Sequence, residues 1–184
     1  SILALESAHS IRFLYHHFLS GITKRSLNVF YYACSYAKVD YSNFMNITAC
    51  TALKLIPDPL KSHPVFLCID DTMVSKFGKK FENVSKLFDH AAHNGSNYLN
   101  GHCFVSIMLC VPVLDHDKIS YLSVPLGYGY RMWQKKESKL ELAASMIRQV
   151  MPEFLSKEHV IILCDSWYTK KNLVSVIDEY PNLD

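Results

Sequence analysis

The chain has 184 residues, of which 49% are hydrophobic and 20% are charged. This composition supports a sizeable hydrophobic core and excludes an intrinsically disordered chain. The formal net charge is +2 with nine histidines counted as neutral, so the overall charge does not by itself indicate a dedicated nucleic-acid-binding domain.

The cysteines and the longest apolar run exclude two further classes of protein. Six cysteines occur without a CxxC pair, so we expect reduced, mostly buried thiols in the cytoplasm and no disulfide framework. The longest uncharged apolar run, from Cys103 to Leu114, is shorter than the about 18 residues that a transmembrane helix needs. We therefore expect no association with a membrane.

Residues 1–60 are predicted to form a helical N-terminal segment. Apolar residues recur at helical spacing from Ile11 to Leu19 and again from Leu27 to Cys34. A third apolar helical face runs from Tyr41 to Leu55, after which Pro57 and Pro59 prevent the helix from continuing.

Residues 61–184 have the pattern of an α/β domain. Val65–Ile69 and His159–Cys164 are continuous apolar runs, which are typical of strands buried on both faces of a sheet. A long polar connection, Lys76–Gly101, precedes a third strand at Cys103–Val111 and its hairpin partner at Ile119–Leu126.

Two helices complete the predicted element order. Ser138 and Glu141 have the spacing of a capping box at the start of a helix that ends before Pro152. Apolar residues from Leu173 to Tyr180 predict a final helix. The predicted order after the N-terminal helices is therefore β-β-β-α-β-α.

Aspartates follow both of the buried strands. Asp70, Asp71 and Thr72 come after the first apolar run, and Asp165 comes directly after the second. Two central strands of one sheet would place such residues side by side, where carboxylate oxygens are suitable ligands for Mg²⁺ or Mn²⁺. Aspartate after a strand also caps turns and helices, and the pattern alone leaves both explanations open.

The two aspartate motifs resemble those of DDE-type DNA transposases of insertion sequences. Ile69–Thr72 resembles the motif of their first catalytic aspartate, and Leu163–Ser166 resembles the motif of the second. Thr23–Asn28 resembles the segment that precedes their catalytic core, and the resemblance covers about Thr23 to Tyr180.

The resemblance implies a ribonuclease-H-like mixed sheet in residues 61–184 and a metal-dependent enzyme that cleaves transposon ends and transfers the strands to target DNA. It implies that Asp71 and Asp165 are the catalytic residues and the ligands of two Mg²⁺ or Mn²⁺ ions. Asp70 and Thr72 are the reserve catalytic candidates or support the site, and Thr72 is expected to fix the loop through its hydroxyl. The implied partners are DNA and a second copy of the chain in a synaptic homodimer, in the bacterial cytoplasm at the nucleoid.

One element of the transposase pattern is missing from this sequence. The third carboxylate of the family is a glutamate on a later helix, and nothing after Asp165 matches its motif. Glu179 follows the second aspartate too closely. We therefore expect a partial, catalytically inactive core, with activity only in the full-length protein.

Basic and aromatic residues in two regions are candidates for contacting DNA phosphates and bases. They are Lys76, Lys79, Lys80, Lys86, Arg131, Trp133, Lys135 and Lys136. A solvated polar loop explains the lysines of Lys76–Lys86 equally well, and a core tryptophan is the preferred explanation of Trp133. Trp167 and Tyr168, next to Asp165, either pack beneath the site or contact a nucleotide.

Three other functions are weighed against a transposase. A zinc site at Asp89, His90, His93 and His102 is not favoured, because no cysteine pair completes the ligand set. A degenerate transposase domain that only binds DNA or protein stays open. An α/β enzyme for phosphorylated small molecules is disfavoured, because the sequence has no glycine-rich phosphate loop.

Overall fold

The computed structural model describes residues 10–78, 81, 84–88, 97–130, 138–157 and 159–184. The chain divides into two compact units, one ending at Asp40 and one spanning Tyr41–Asp184. The third predicted helix belongs to the second unit, so residues 1–60 contribute to both.

The first unit is helical. Its described helices are α1 (Ile11–Leu14), α2 (Ser20–Ile22) and α3 (Leu27–Tyr36), and a π-helical turn over Tyr15–Leu19 joins the first two. The ring of Tyr15 packs 5.7 Å from that of Phe30, and its hydroxyl donates a hydrogen bond to the Arg25 carbonyl at 3.1 Å. These contacts hold α3 against the preceding helical segment.

The second unit has an α/β architecture, as predicted. Its described strands are β1 (Val65–Ser75), β2 (Ser85–Phe88), β3 (Tyr98–Asp115), β4 (Lys118–Tyr130) and β5 (Val160–Cys164). Its described helices are α4 (Tyr41–Lys54), α5 (Lys139–Val150) and α6 (Lys171–Ile177), with 3₁₀ turns at Asp58–Leu60, Met151–Phe154 and Ser166–Tyr168. None of the helices in the described residues combines the length and the apolar composition needed to cross a membrane.

The described strands form one mixed sheet with the order β2-β3-β1-β5, in which β4 also pairs with β3. β1 is parallel to β5, which confirms the predicted adjacency of the two apolar strands. The predicted hairpin is also present, formed by β3 and β4, and its β3 strand is antiparallel to β1. The hairpin turns at His116 and Asp117, which have φ values of 45° and 63°. Aspartate tolerates this left-handed conformation better than most residues because its short polar side chain bonds locally.

Two sequence-based boundaries are wrong. β1 does not end at Asp70 or Asp71 but continues to Ser75, because the long β3 offers pairing partners as far as Gly101. The polar connection Lys76–Gly101 also contains a strand, β2, whose Leu87 is buried. A single buried side chain in a four-residue strand leaves too weak an alternation to be recognised.

Gly101 lies where three strands meet. It is paired with Ser75 of β1 and with Ser85 of β2. A Cβ atom at this position would lie 2.3 Å from the carbonyl oxygen of Val74. The close approach of the two backbones therefore requires glycine here.

The core lies on one face of the sheet. Alternate residues of β1, among them Val65, Leu67 and Ile69, point to this face and are buried. Helix α5 packs on it through its apolar side, which includes Ala143 and Ile147. The predicted capping box fixes the start of this helix, since the Ser138 hydroxyl accepts from the N–H of Glu141 while the Glu141 carboxylate accepts from the N–H of Ser138.

Candidate functional site

The two predicted catalytic aspartates lie where the parallel pairing of two neighbouring strands, β1 and β5, ends. The pairing of β1 with β5 ends at Ile69 and Cys164, and Asp71 and Asp165 follow within two residues. Both carboxylates line one cavity of about 410 Å³. Its lining residues are Asp70, Asp71, Met73, Lys86, Leu87, Phe88, Cys103, Lys139, Asp165 and Trp167. The structure therefore brings together the aspartates that the sequence separates.

The Asp71 side chain is mostly buried and is surrounded by donors. The strand alternation places it on the core face, and 15% of the side chain is exposed. The Lys139 ammonium lies 2.9 Å from Oδ1 and 3.0 Å from Oδ2. The Tyr168 hydroxyl donates to Oδ1 at 3.0 Å, and the Cys103 thiol lies 3.7 Å from Oδ2. Asp71 thus has a neutralising cation and two further donors.

Tyr168 supports Asp71 from below. Tyr168 is 1% exposed and belongs to the hydrophobic core. The 3₁₀ turn Ser166–Tyr168 connects it to Asp165. Burial, followed by the negative charge of Asp71, raises the pKa of Tyr168. The phenol therefore stays protonated and serves Asp71 as a hydrogen-bond donor. Of the two alternatives for this residue, the structure shows packing beneath the site.

Lys139 was not identified from the sequence, although it makes the closest charged contact with Asp71. It is the first residue of α5, where a positive charge opposes the helix dipole. Its side chain is 21% exposed, and its ammonium also lies 4.2 Å from the ring centroid of Trp167. The ammonium of Lys170 lies 4.5 Å from the same ring, so Trp167 contacts two cations.

Asp165 combines a capping role with its place in the cavity. Its Oδ1 accepts from the Ser166 hydroxyl at 2.9 Å and from the Trp167 N–H at 3.3 Å, which caps the 3₁₀ turn. These hydrogen bonds lower the pKa of Asp165, and the charge of Lys139 contributes to the same shift. The side chain is exposed to solvent and ionised at neutral pH.

Asp70 and Thr72 alternate with Asp71 and belong to the opposite face of β1. The Asp70 carboxylate accepts from the N–H of Asp71 at 2.8 Å, at the point where β5 no longer pairs with β1. Thr72 is paired with Phe104 inside the strand. The predicted role of Thr72 in fixing a loop is therefore wrong, because β1 continues through this residue.

Two of the predicted DNA-contacting lysines are in the described part of the chain. Lys86 lies on β2, lines the cavity and has its ammonium 4.6 Å from the Tyr98 ring centroid. Lys76 follows β1, and its ammonium lies 5.5 Å from the Phe81 ring centroid. The other predicted DNA contacts lie outside the described residues: Lys79, Lys80, Arg131, Trp133, Lys135 and Lys136.

Two further sequence candidates have other surroundings. Glu179 comes after α6 and forms an ion pair with Arg148 of α5, with N–O distances of 2.8 and 2.5 Å. His102 lies in β3 beside Phe104, and the other three zinc candidates, residues 89, 90 and 93, lie outside the described residues. Among the described residues, no group of three or more histidine, cysteine or acidic side chains is arranged to hold a metal ion.

Comparison with protein-family models, with curated proteins and with solved structures found no match to this chain. The geometry of the cavity and the resemblance of the two aspartate motifs are therefore the observations that bear on function.

Proposed function

We propose that the second unit is part of the catalytic core of a DDE-type DNA transposase with a ribonuclease-H-like fold. In this proposal the chain binds transposon DNA, and Asp71 and Asp165 hold Mg²⁺ or Mn²⁺ for cleavage and strand transfer. The main support is that adjacent parallel strands deliver both carboxylates to one cavity. Each motif alone is short, and their convergence at one sheet edge is what a shared site requires.

Carboxylate oxygens are the chemical type of ligand that a hard divalent cation takes, and Asp71 and Asp165 supply them from two strands of one cavity. Asp70 is on the other face of β1, so two carboxylates, not three, would hold the ion in the described residues. Bound metal ions would activate the attacking hydroxyl and stabilise the leaving oxygen of the phosphodiester. For Asp71, the fit requires that the Lys139 ammonium leaves its present place.

The surrounding residues have separate roles in this proposal. Tyr168 orients the Asp71 carboxylate through its 3.0 Å hydrogen bond. The capping contacts of Asp165 hold its backbone at the end of β5 and direct Oδ1 toward the 3₁₀ turn. Lys86 brings positive charge to the cavity, where it would attract a phosphate of the DNA backbone.

A second candidate function is a degenerate transposase domain that binds DNA or protein without metal. The observation that favours it is the ion pair itself, since Lys139, Tyr168 and Cys103 surround Asp71 as they would in a purely structural salt bridge. In this case Asp165 would be a capping residue. The two candidates differ in whether metal and DNA affect each other's binding.

Fluorescence anisotropy of labelled duplex DNA, with and without Mn²⁺, separates the two candidates. For the transposase core we expect weak DNA binding that decreases with salt, because the positive charge is local. We expect Mn²⁺ to increase DNA affinity and Asp71→Asn and Asp165→Asn to abolish that increase, since coupling between two ligands is reciprocal. Asp178→Asn, at an exposed position after α6, is the matched control. Equal DNA affinity with and without Mn²⁺ in all four proteins supports the binding module.

A further inference from the structure

The Lys139–Asp71 pair leaves little room for a second cation on Asp71. The ammonium contacts both carboxylate oxygens, Tyr168 donates to Oδ1, and the Cys103 thiol lies against Oδ2. A carboxylate has about four acceptor positions. These four contacts therefore account for all of them, and a metal ion can reach Asp71 only by replacing one.

The contact that a cation would replace is the one made by Lys139. Tyr168 and Cys103 are neutral donors that do not compensate charge, and the pair is mostly buried. A mostly buried carboxylate without a cation is strongly destabilising, so an ammonium and a divalent metal ion are alternative partners for Asp71. The exchange keeps the carboxylate neutralised throughout.

We infer that the Lys139 ammonium is a built-in counter-cation that competes with divalent metal for Asp71, so that metal binds only when this ammonium leaves. The inference rests on the proposed metal site and adds a regulatory residue to it. Lys139 is a positioning residue here, because it acts on the metal through Asp71.

The position of Lys139 suits such an exchange. Its backbone is fixed at the first turn of α5 by the capping box, whereas its ammonium is at the end of a flexible four-carbon chain. The ammonium can therefore leave Asp71 without any movement of the helix. The Trp167 ring, 4.2 Å away, offers a cation–π contact that keeps the displaced ammonium in the cavity.

The ion pair with Lys139 is therefore expected to lower the affinity of Asp71 for metal and to stabilise the metal-free protein.

Mn²⁺ titration by calorimetry, together with thermal unfolding in EDTA and in Mn²⁺, tests the inference. We expect Lys139→Met to bind Mn²⁺ about tenfold more tightly than the parent, as expected for a partly exposed pair. The same variant should unfold at a lower temperature in EDTA and recover the loss in Mn²⁺, because a ligand stabilises the state that binds it. Lys170→Met removes the other cation on the Trp167 ring and should leave Mn²⁺ affinity at the parent value.

Lys139→Arg provides a second variant that keeps the charge. Its guanidinium can bind the carboxylate through two hydrogen bonds and should hold Asp71 more firmly, so Mn²⁺ affinity should fall below that of the parent. This variant tests the inference even where Lys139→Met does not fold. Tighter Mn²⁺ binding by Lys139→Arg than by the parent would overturn the competition.

The outcomes separate the inference from the proposed function. Equal or weaker Mn²⁺ binding by Lys139→Met, with binding still abolished by Asp71→Asn, overturns the competition and leaves the metal site intact. Mn²⁺ binding that survives both Asp71→Asn and Asp165→Asn, or that is undetectable in the parent and in Lys139→Met, overturns the metal site and the inference with it.

Discussion

Replacing Tyr168 with phenylalanine tests whether Asp71 depends on the buried phenol. The substitution removes one hydroxyl and keeps the ring, so it creates almost no cavity. The lost hydrogen bond is 3.0 Å long and reaches a carboxylate, and the tyrosine is 1% exposed. Hydrogen bonds to charged groups contribute about 1.5–3 kcal/mol, and we expect the lower part of this range because Lys139 still neutralises Asp71.

Urea denaturation followed by tryptophan fluorescence measures the effect. A loss of about 1.5–2 kcal/mol in the free energy of unfolding corresponds to about 3–8 °C in melting temperature for a chain of this size. Tyr121→Phe is the matched control, because its hydroxyl bonds the Pro64 carbonyl at 3.2 Å near the surface, where water can replace it. Its expected loss is about 0.5 kcal/mol.

The pH dependence and a double variant identify the partner of the phenol. The pKa of Tyr168 is raised in the folded protein, so its contribution to stability is complete below the ordinary tyrosine value of about 10 and decreases at higher pH. Tyr168→Phe should lack this alkaline decrease. In an Asp71→Asn background, the cost of Tyr168→Phe should become smaller. Equal losses for Tyr168→Phe and Tyr121→Phe, or the same cost in both backgrounds, would show that the Tyr168 phenol does not support Asp71.

Three further substitutions test other parts of the account. Gly101→Ala should lower the free energy of unfolding by about 1–3 kcal/mol in urea denaturation, because the added Cβ meets the backbone of β1. Gly21→Ala, in an open helical position, should raise the free energy of unfolding by about 0.5–1 kcal/mol, and equal effects of the two substitutions would contradict the packing at Gly101. Asp165→Ala should lower the melting temperature more than Asp165→Asn, because asparagine can still cap the 3₁₀ turn. Because the pKa of Asp165 is lowered in the folded protein, the stability that its charge contributes is present at neutral pH and is lost in acid. The melting temperatures of the parent and of Asp165→Ala should therefore become more similar as the pH falls. Lys86→Ala should weaken DNA binding in anisotropy more than Lys118→Ala at the hairpin turn, and equal losses would place the DNA surface elsewhere.

The positions of the two aspartates could be predicted because their strands have a clear physical signature. A run such as Val65–Ile69, apolar at every position, is typical of a central strand, and β1 does lie between β3 and β5. The predicted burial on both faces is wrong, because only alternate residues of β1 are fully buried. Two such runs in one α/β unit are readily adjacent, as β1 and β5 are. Their parallel pairing ends just before both aspartates, which places Asp71 and Asp165 together.

The partners of Asp71 could not be predicted in the same way. Lys139 is 68 residues from Asp71 along the chain, and their contact depends on how α5 crosses the sheet. The local signal was a lysine at the first position of a capped helix, where the helix dipole disfavours a positive charge. The dipole disfavours such a charge by only about 0.3–1 kcal/mol, so the lysine by itself did not identify a contact with Asp71.

The sequence did not predict the extension of β1 to Ser75, for a different reason. The residues from Asp70 to Ser75 are mostly polar and follow a buried strand, so they have the composition of a loop. They form a strand because β3 continues beside them and supplies backbone hydrogen-bond partners. Pairing over a long neighbouring strand overrides local composition here.

Crystals of the protein soaked in Mn²⁺ and measured at the manganese absorption edge provide the most direct test of the shared metal site. We expect an anomalous peak between Asp71 and Asp165, with oxygen ligands from both carboxylates at about 2.0–2.2 Å and with the Lys139 ammonium displaced from Asp71. An anomalous peak bound to other residues, or no peak while the Lys139–Asp71 ion pair stays intact, would contradict the assignment of this cavity as a metal-dependent site.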